Sequence, residues 1–138
     1  MREIEVDATL ENLAKVFDFL HKAFDDLDVD DHIRGQVKMC VEEIYMNITH
    51  YAYNPEIGLA RVAFAVDDEI KPAKVIITLS DKGKPYDPMT HEDPDLDLDL
   101  DDMPIGGLGI YLVKSTMDKV EYELKDGRNV LTMEKRLV

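Results

Sequence analysis

Two polar side chains lie one helical turn apart in the segment VEEIYMNITHYAYNP, residues 41–55. Glu43 and Asn47 have an i, i+4 spacing, so in a helix both lie on the flank of an apolar stripe centred on Ile44. A carboxylate can act as a general base, and an amide oxygen is a suitable ligand for Mg²⁺. This spacing predicts a site that serves a metal-bound phosphate, and an ordinary polar flank facing solvent is the competing interpretation.

A third polar side chain, the carboxylate of Asp81, follows an apolar run in VIITLSDKGKPYDP, residues 75–88. The carboxylate is predicted at the mouth of a buried strand, and Gly83 turns the chain and leaves space beside it. Such a carboxylate can accept a hydrogen bond from an exocyclic amine, for example that of adenine. A turn-forming Asp-x-Gly is the competing interpretation, because these residues are common in turns.

Three glycines, Gly106, Gly107 and Gly109, lead into an apolar-periodic helix in IGGLGIYLVKSTMD. Glycines at a helix start free backbone N–H groups, and the helix dipole favours an anion at that end. The segment is neither GxGxxG in a βαβ unit nor a P-loop ending in GK[ST]. A phosphate site and a flexible joint both remain open for it.

In chain order, the three segments match E-x-x-x-N on a helix, D-x-G-x-P-[FY]-D-P after a strand, and G-G-L-G-I opening a helix. This arrangement resembles the histidine-kinase-like (Bergerat-fold) ATPase superfamily, with its asparagine box and two glycine boxes. The closer likeness is to the anti-sigma regulatory factor branch of serine/threonine-protein kinases. It spans almost the whole chain, including the terminal NVLTMEKRL.

The resemblance implies a role for each matching residue. Glu43 would be the base that activates the attacking hydroxyl, and Asn47 would be the Mg²⁺ ligand. Asp81 would accept a hydrogen bond from the adenine amine of ATP, with Gly83 allowing close approach. The second glycine box falls on Gly107 and Gly109, with Gly106 just ahead. The implied reaction is in-line transfer of the γ-phosphoryl group of ATP to a serine of an anti-sigma-factor antagonist.

Three features depart from the family pattern. Gly106 stands where the aligned kinases usually carry arginine, and Tyr51 aligns with their common histidine, while His50 is shifted by one residue. No Lys or Arg occurs between Met89 and Tyr111. These departures keep open a non-catalytic module of the same fold, in which ATP shapes a partner surface and no phosphate is transferred.

The helices that must position these residues follow from the hydrophobic period. Thr9 is predicted to cap the first helix, and Asp30 or Asp31 the second. The two apolar stripes consist of Leu10, Leu13, Phe17, Leu20 and Phe24, and of Ile33, Val37, Val41, Ile44 and Ile48. A third helix is predicted over 110–117.

Strands are predicted where the period changes to two, over residues 2–6, 59–66, 73–79, 119–125 and 129–136. Asp126-Gly127 is a hairpin signal between the last two strands. The order lacks βαβ alternation. It predicts an α+β fold, a two-layer sandwich in which helices cover one face of a mostly antiparallel sheet.

The composition places limits on partners. Sixteen Lys and Arg against thirty Asp and Glu give a net charge of −14, which disfavours nucleic acid and anionic membrane surfaces. The single cysteine, the charged start and the absence of a long apolar run predict a cytoplasmic protein. One domain over 1–138 is expected; an anti-sigma-factor antagonist is the implied partner, and a sigma factor and a homodimer remain open.

An acidic segment precedes the glycines, with aspartate at every second position in DPDLDLDLDD from Asp93. The family resemblance makes it part of an ATP lid over about residues 87–105. Calcium binding is a weaker alternative, because an EF-hand loop counted from Asp93 would lack the glycine at its sixth position and the glutamate at its twelfth.

Overall fold

The computed structural model describes residues 1–53, 56–90 and 107–137. Its strands are β1 (Arg2–Asp7), β2 (Leu59–Asp67), β3 (Lys74–Asp81), β4 (Lys119–Lys125) and β5 (Arg128–Arg136). Its helices are α1 (Leu13–Asp25), α2 (Asp31–Asn47) and α3 (Gly107–Thr116). Short 3-10 turns occupy Leu10–Asn12 and Pro88–Thr90, and a π-helical turn, Ile48–Ala52, extends α2.

The five strands form one sheet in the order β1-β2-β3-β5-β4, and every pairing in it is antiparallel. Two of its connections are hairpins, β2 to β3 and the predicted β4 to β5. The register places Asp81 at the end of β3 opposite Asn129 near the start of β5. The predicted α+β class and antiparallel sheet are confirmed.

One face of the sheet is covered by the three helices and forms the core. Side chains of β2, β3 and β5 alternate between buried and half-buried positions, as expected when one face packs and the other is open. The buried set joins the stripe of α2, which is buried along its length as predicted. At one end of the central strands β3 and β5, the buried side chains are polar rather than apolar. They are Asp81 and Asn129.

The predicted cap of the first helix is wrong. Thr9 precedes a 3-10 turn and makes no side-chain capping hydrogen bond, α1 begins only at Leu13, and Leu10 is exposed rather than in the core. The Thr9 backbone instead bonds to the buried hydroxyl of Tyr45 on α2, with its N–H donating at 3.1 Å and its carbonyl accepting at 2.5 Å. These hydrogen bonds hold the backbone of Thr9 against α2, and α1 begins only after the 3-10 turn.

The other local signals are confirmed. Asp30 caps α2, since its Oδ1 accepts from the Ile33 N–H at 2.9 Å. Asp126 and Gly127 have φ values of 53° and 77°, the left-handed pair that a two-residue hairpin turn requires. The third helix begins at Gly107, three residues earlier than predicted.

Several predicted features lie outside the described residues. They include Gly106 and residues 91–105 of the predicted lid. The run of alternating aspartates that starts at Asp93, here called the aspartate ladder, lies in this segment. Within the described part of the chain, no helix is long and apolar enough to cross a bilayer.

Candidate functional site

A cavity of about 40 Å³ lies between the end of α2 and the inner face of the sheet. Its apolar lining includes Ile44, Ile48, Leu79 and Leu131. Its polar lining includes Asn47, Asp81, Lys84 and Asn129. Two predicted site residues, Asn47 and Asp81, therefore share one cavity although they come from different layers of the fold.

Asp81 is a buried carboxylate, with only 4% of its surface exposed. Its Oδ1 accepts two hydrogen bonds, from the Gly83 N–H at 2.8 Å and from Asn129 Nδ2 at 2.9 Å. Among the described residues, none donates a hydrogen bond to Oδ2. One oxygen is thus fixed by the protein, while the other is available to a donor inside the cavity.

Asn129 organises this end of the site, and it was not singled out from the sequence. Its Nδ2 donates to Asp81 and to the Lys84 carbonyl, both at 2.9 Å. Its Oδ1 accepts from the Tyr86 N–H at 3.1 Å and from the Tyr122 hydroxyl. The signal available in the sequence was the alternation of β5, which places a polar Asn129 on the same inward face as Leu131 and Met133.

Gly83 provides clearance where the loop after β3 crosses the end of the helical segment. A Cβ atom at this position would overlap the Ala52 carbonyl oxygen and would lie 2.5 Å from the Ala52 Cβ. The Lys84 N–H donates to the same carbonyl at 3.0 Å. The loop is therefore held against Ala52, and the Gly83 N–H is aimed at Asp81.

Glu43 lies away from the cavity, beside the first turn of α3. A Cβ on Gly109 would overlap Glu43 Oε2 and would lie 3.1 Å from its Cδ. Glu43 is half-buried, and burial raises the pKa of its carboxyl, with a smaller contribution from the charge of Glu42. The structure thus brings Glu43 together with Gly109 of the second glycine box, while Gly107 is the first residue of α3.

Aromatic side chains border the cavity near the loop after β3. Tyr86 lines the cavity, and its ring lies 5.6 Å from that of Tyr51, with 33° between their planes. Tyr51 is partly exposed, and its ring is 6.3 Å from that of His50. The departure from the family pattern at Tyr51 therefore places a phenol ring, rather than an imidazole, against Tyr86.

The side chains around the cavity fit a metal ion that is bound partly by the protein and partly by a bound substrate, better than a metal ion bound by the protein alone. No group of three or more His, Cys, Asp or Glu residues that could hold a metal occurs in the ranges 1–53, 56–90 and 107–137. Asn47, whose side chain carries an amide oxygen, lines the cavity. Mg²⁺ is commonly bound by one or two protein oxygens together with substrate phosphates. The aspartate ladder proposed for calcium lies outside these ranges.

Known proteins are similar to this chain in sequence and in fold. A serine-protein kinase RsbW of Staphylococcus aureus strain JH9 is 31% identical over an alignment of 121 residues, and the match covers 83% of this chain and 69% of that protein. A second S. aureus RsbW is 32% identical over an alignment of 114 residues, and the match covers 78% of this chain and 65% of that protein.

A crystal structure of the RsbU and RsbW domains of a Mycobacterium tuberculosis protein superposes with a TM-score of 0.63 at 15% identity, which shows a shared fold. The match covers 99% of this chain and 33% of that one. The family model of the histidine kinase-like ATPase domain matches residues 6–135. The chain therefore belongs to the histidine kinase-like ATPase family, in the branch that contains the RsbW serine-protein kinases.

Proposed function

We propose that the chain binds ATP with Mg²⁺ and transfers the γ-phosphoryl group to a serine of an anti-sigma-factor antagonist. The observation that carries this proposal is the buried Asp81, which has one oxygen held by Asn129 and Gly83 and the other available in an apolar cavity. Adenine combines an apolar ring with an exocyclic amine donor. It therefore matches both the lining of the cavity and the open carboxylate oxygen.

The chain's own residues divide the remaining tasks. Asn47 would offer its amide oxygen to Mg²⁺, while the backbone N–H groups at the start of α3 and the glycines around it would hold the phosphates. These glycines are Gly106, Gly107 and Gly109. Bound Mg-ATP supplies the phosphoryl group and neutralises part of its charge. Glu43 would accept the proton of the attacking serine hydroxyl, and its raised pKa makes the carboxylate a stronger base.

The wider setting is part of the same proposal. We infer one nucleotide-binding domain over 1–138, with an acidic lid over about residues 87–105, working in the cytoplasm. A sigma factor and a second copy of the chain are the further partners that we propose. The net charge of −14 opposes binding to nucleic acid and to anionic membranes.

A second candidate function is a non-catalytic module that binds ATP and a partner without transferring phosphate. The observation in its favour is the sequence from 90 to 110, which contains no Lys or Arg, with Gly106 where the related kinases usually carry arginine. Arginine and lysine commonly stabilise the charge that develops during phosphoryl transfer. Their absence from this segment would reduce transfer more than binding.

The test begins with calorimetric titration of the purified chain with Mg-ATP. The chain is then incubated with γ-labelled Mg-ATP and a candidate anti-sigma-factor antagonist domain, with an S. aureus RsbW and its antagonist as the positive control. Label on the antagonist that disappears in Glu43→Ala, while ATP binding persists, supports the kinase. Binding without transfer supports the second candidate. Absence of ATP binding overturns both.

A further inference from the structure

We propose that Gly109 is a positioning residue for Glu43: the missing side chain at 109 is the space that the Glu43 carboxylate occupies beside the first turn of α3. This inference rests on the proposed function, because it gives the glycine a task in proton transfer as well as in phosphate binding. It assigns that task from the contact between α2 and α3 rather than from a contact with phosphate.

The contact involves the functional end of the glutamate. A Cβ on Gly109 would overlap Oε2, and would lie 3.1 Å from Cδ and 3.7 Å from Cγ of the same side chain. Apart from its chain neighbours and the nearby backbone of α3, these three atoms are the nearest that such a Cβ would meet. Any side chain at 109 would therefore compete with the carboxylate group of Glu43 before it met another part of the protein.

The backbone of Gly109 does not itself require glycine. Among the described residues, the only glycine with a positive φ is Gly127, so Gly109 adopts a conformation open to other amino acids. Glycine inside a helix is also unfavourable compared with alanine. Clearance for a neighbour is therefore the reason that the structure offers for glycine at the third residue of α3.

Movement of the Glu43 carboxylate, rather than movement of the backbone, would relieve this overlap. Oε2 is the far end of a flexible side chain, so an added methyl group would turn Glu43 away from α3 and leave the helix in place. A displaced carboxylate would lose part of its burial, which is the main cause of its raised pKa. It would also leave the position from which it accepts the proton of the serine hydroxyl, whose oxygen forms the new bond to phosphorus as ADP leaves.

The first experiment measures the titration midpoint of the Glu43 carboxylate directly, without ATP or substrate. Protein labelled with ¹³C at the glutamate side-chain carboxyl is titrated by NMR, and Glu43→Gln identifies the resonance by its loss. In Gly109→Ala, we expect the titration midpoint of Glu43 to move down toward that of an exposed glutamate. Gly35→Ala is the matched control, because a Cβ at Gly35 on α2 meets nothing within 4 Å. An unchanged Glu43 midpoint in Gly109→Ala overturns the proposal.

The second experiment follows phosphoryl transfer. Gly109→Ala is expected to lower kcat at least tenfold and to change KM for ATP less than threefold. The shorter side chain of Glu43→Asp should cost less in the Gly109→Ala background than in the wild type, because Asp leaves room for the methyl group. A raised KM with unchanged kcat would assign Gly109 to phosphate contact alone and overturn the proposal. Absence of transfer by the wild type would remove the proposed kinase function, while the titration still decides the role of Gly109.

Discussion

The two acidic residues of the site are held in opposite ways. Asp81 is buried at the end of a central strand, and two hydrogen bonds fix one of its oxygens. Glu43 is half-buried on α2, and in the described part of the chain no hydrogen bond reaches its carboxylate; it lies in the space beside Gly109. A fixed acceptor suits recognition of one donor, whereas an acid held by burial and clearance keeps the freedom to accept and release a proton.

Asp81→Asn should produce the largest effect on ATP binding, because it changes the acid that hydrogen bonds hold in a fixed position. The amide can keep its oxygen toward Gly83 and Asn129, and it then presents an N–H group where the available carboxylate oxygen had been. Two donors would face each other in a buried site, so we expect ATP affinity to fall by about 100-fold or more, which is about 2.7 kcal/mol. Titration with Mg-ATP measures the loss. Asp68→Asn, in the exposed turn after β2, is the control; equal affinities for all three proteins would refute the role of Asp81.

Asn129→Ala tests whether the network around Asp81 is what fixes it. The change removes four hydrogen bonds at once and leaves Asp81, Tyr122 and two backbone groups without that partner. Since an unsatisfied buried polar group costs about 1–3 kcal/mol, we expect the free energy of unfolding to fall by about 2 kcal/mol. Urea denaturation measures it. ATP affinity should fall as well, and a variant as stable as wild type with full affinity would show that Asp81 needs no support.

The contrast between these residues also marks what the sequence could reveal. Asp81, Gly83, Glu43 and Asn47 stand in local patterns with fixed spacings, so a family resemblance finds them. Asn129 lies 48 residues from Asp81 along the chain, and only the register of β3 against β5 brings them together. The alternation of β5 places Asn129 on the inward face, but it does not identify the residues that Asn129 will contact.

The fold shows the same limit. Among the described residues, periodicity located the five strands and the three α-helices, and β2, β3 and β5 alternate between buried and half-buried positions as that period predicts. The Asp126-Gly127 turn fixed its own hairpin. The start of α1 was wrong because the Tyr45 hydroxyl, which comes from another element, determines how the chain leaves β1. Long-range contacts of this kind leave no trace in propensity or spacing.

Gly83→Ala extends the comparison to the two glycines that lie beside these acids, Gly83 beside Asp81 and Gly109 beside Glu43. At Gly83, a methyl group would meet the backbone of Ala52, which cannot rotate away, whereas at Gly109 it would meet the end of a side chain. We expect Gly83→Ala to lower the free energy of unfolding by about 1–2 kcal/mol, as overpacking does. Gly35→Ala, on an open helix surface, should raise it by about 0.5–1 kcal/mol. Thermal or urea unfolding of the pair is the measurement, and equal stability of both variants would contradict the clash at Ala52.

Glu43→Gln should have the smallest effect, and its sign depends on pH. Burial raises the pKa of Glu43, so the folded state holds this proton to a higher pH than the unfolded chain does. Stability is therefore lost as pH rises from the unfolded value of about 4.3 through the raised value, because the folded state then carries a partly desolvated charge. Glutamine carries no such charge, so Glu43→Gln should be the more stable protein at neutral pH, by no more than about 1 kcal/mol after solvent screening.

The stability advantage of Glu43→Gln should disappear below the unfolded pKa, where both side chains are neutral. Urea unfolding at several pH values tests this, and a stability difference that does not change with pH would mean that Glu43 is held by contacts rather than by burial and clearance.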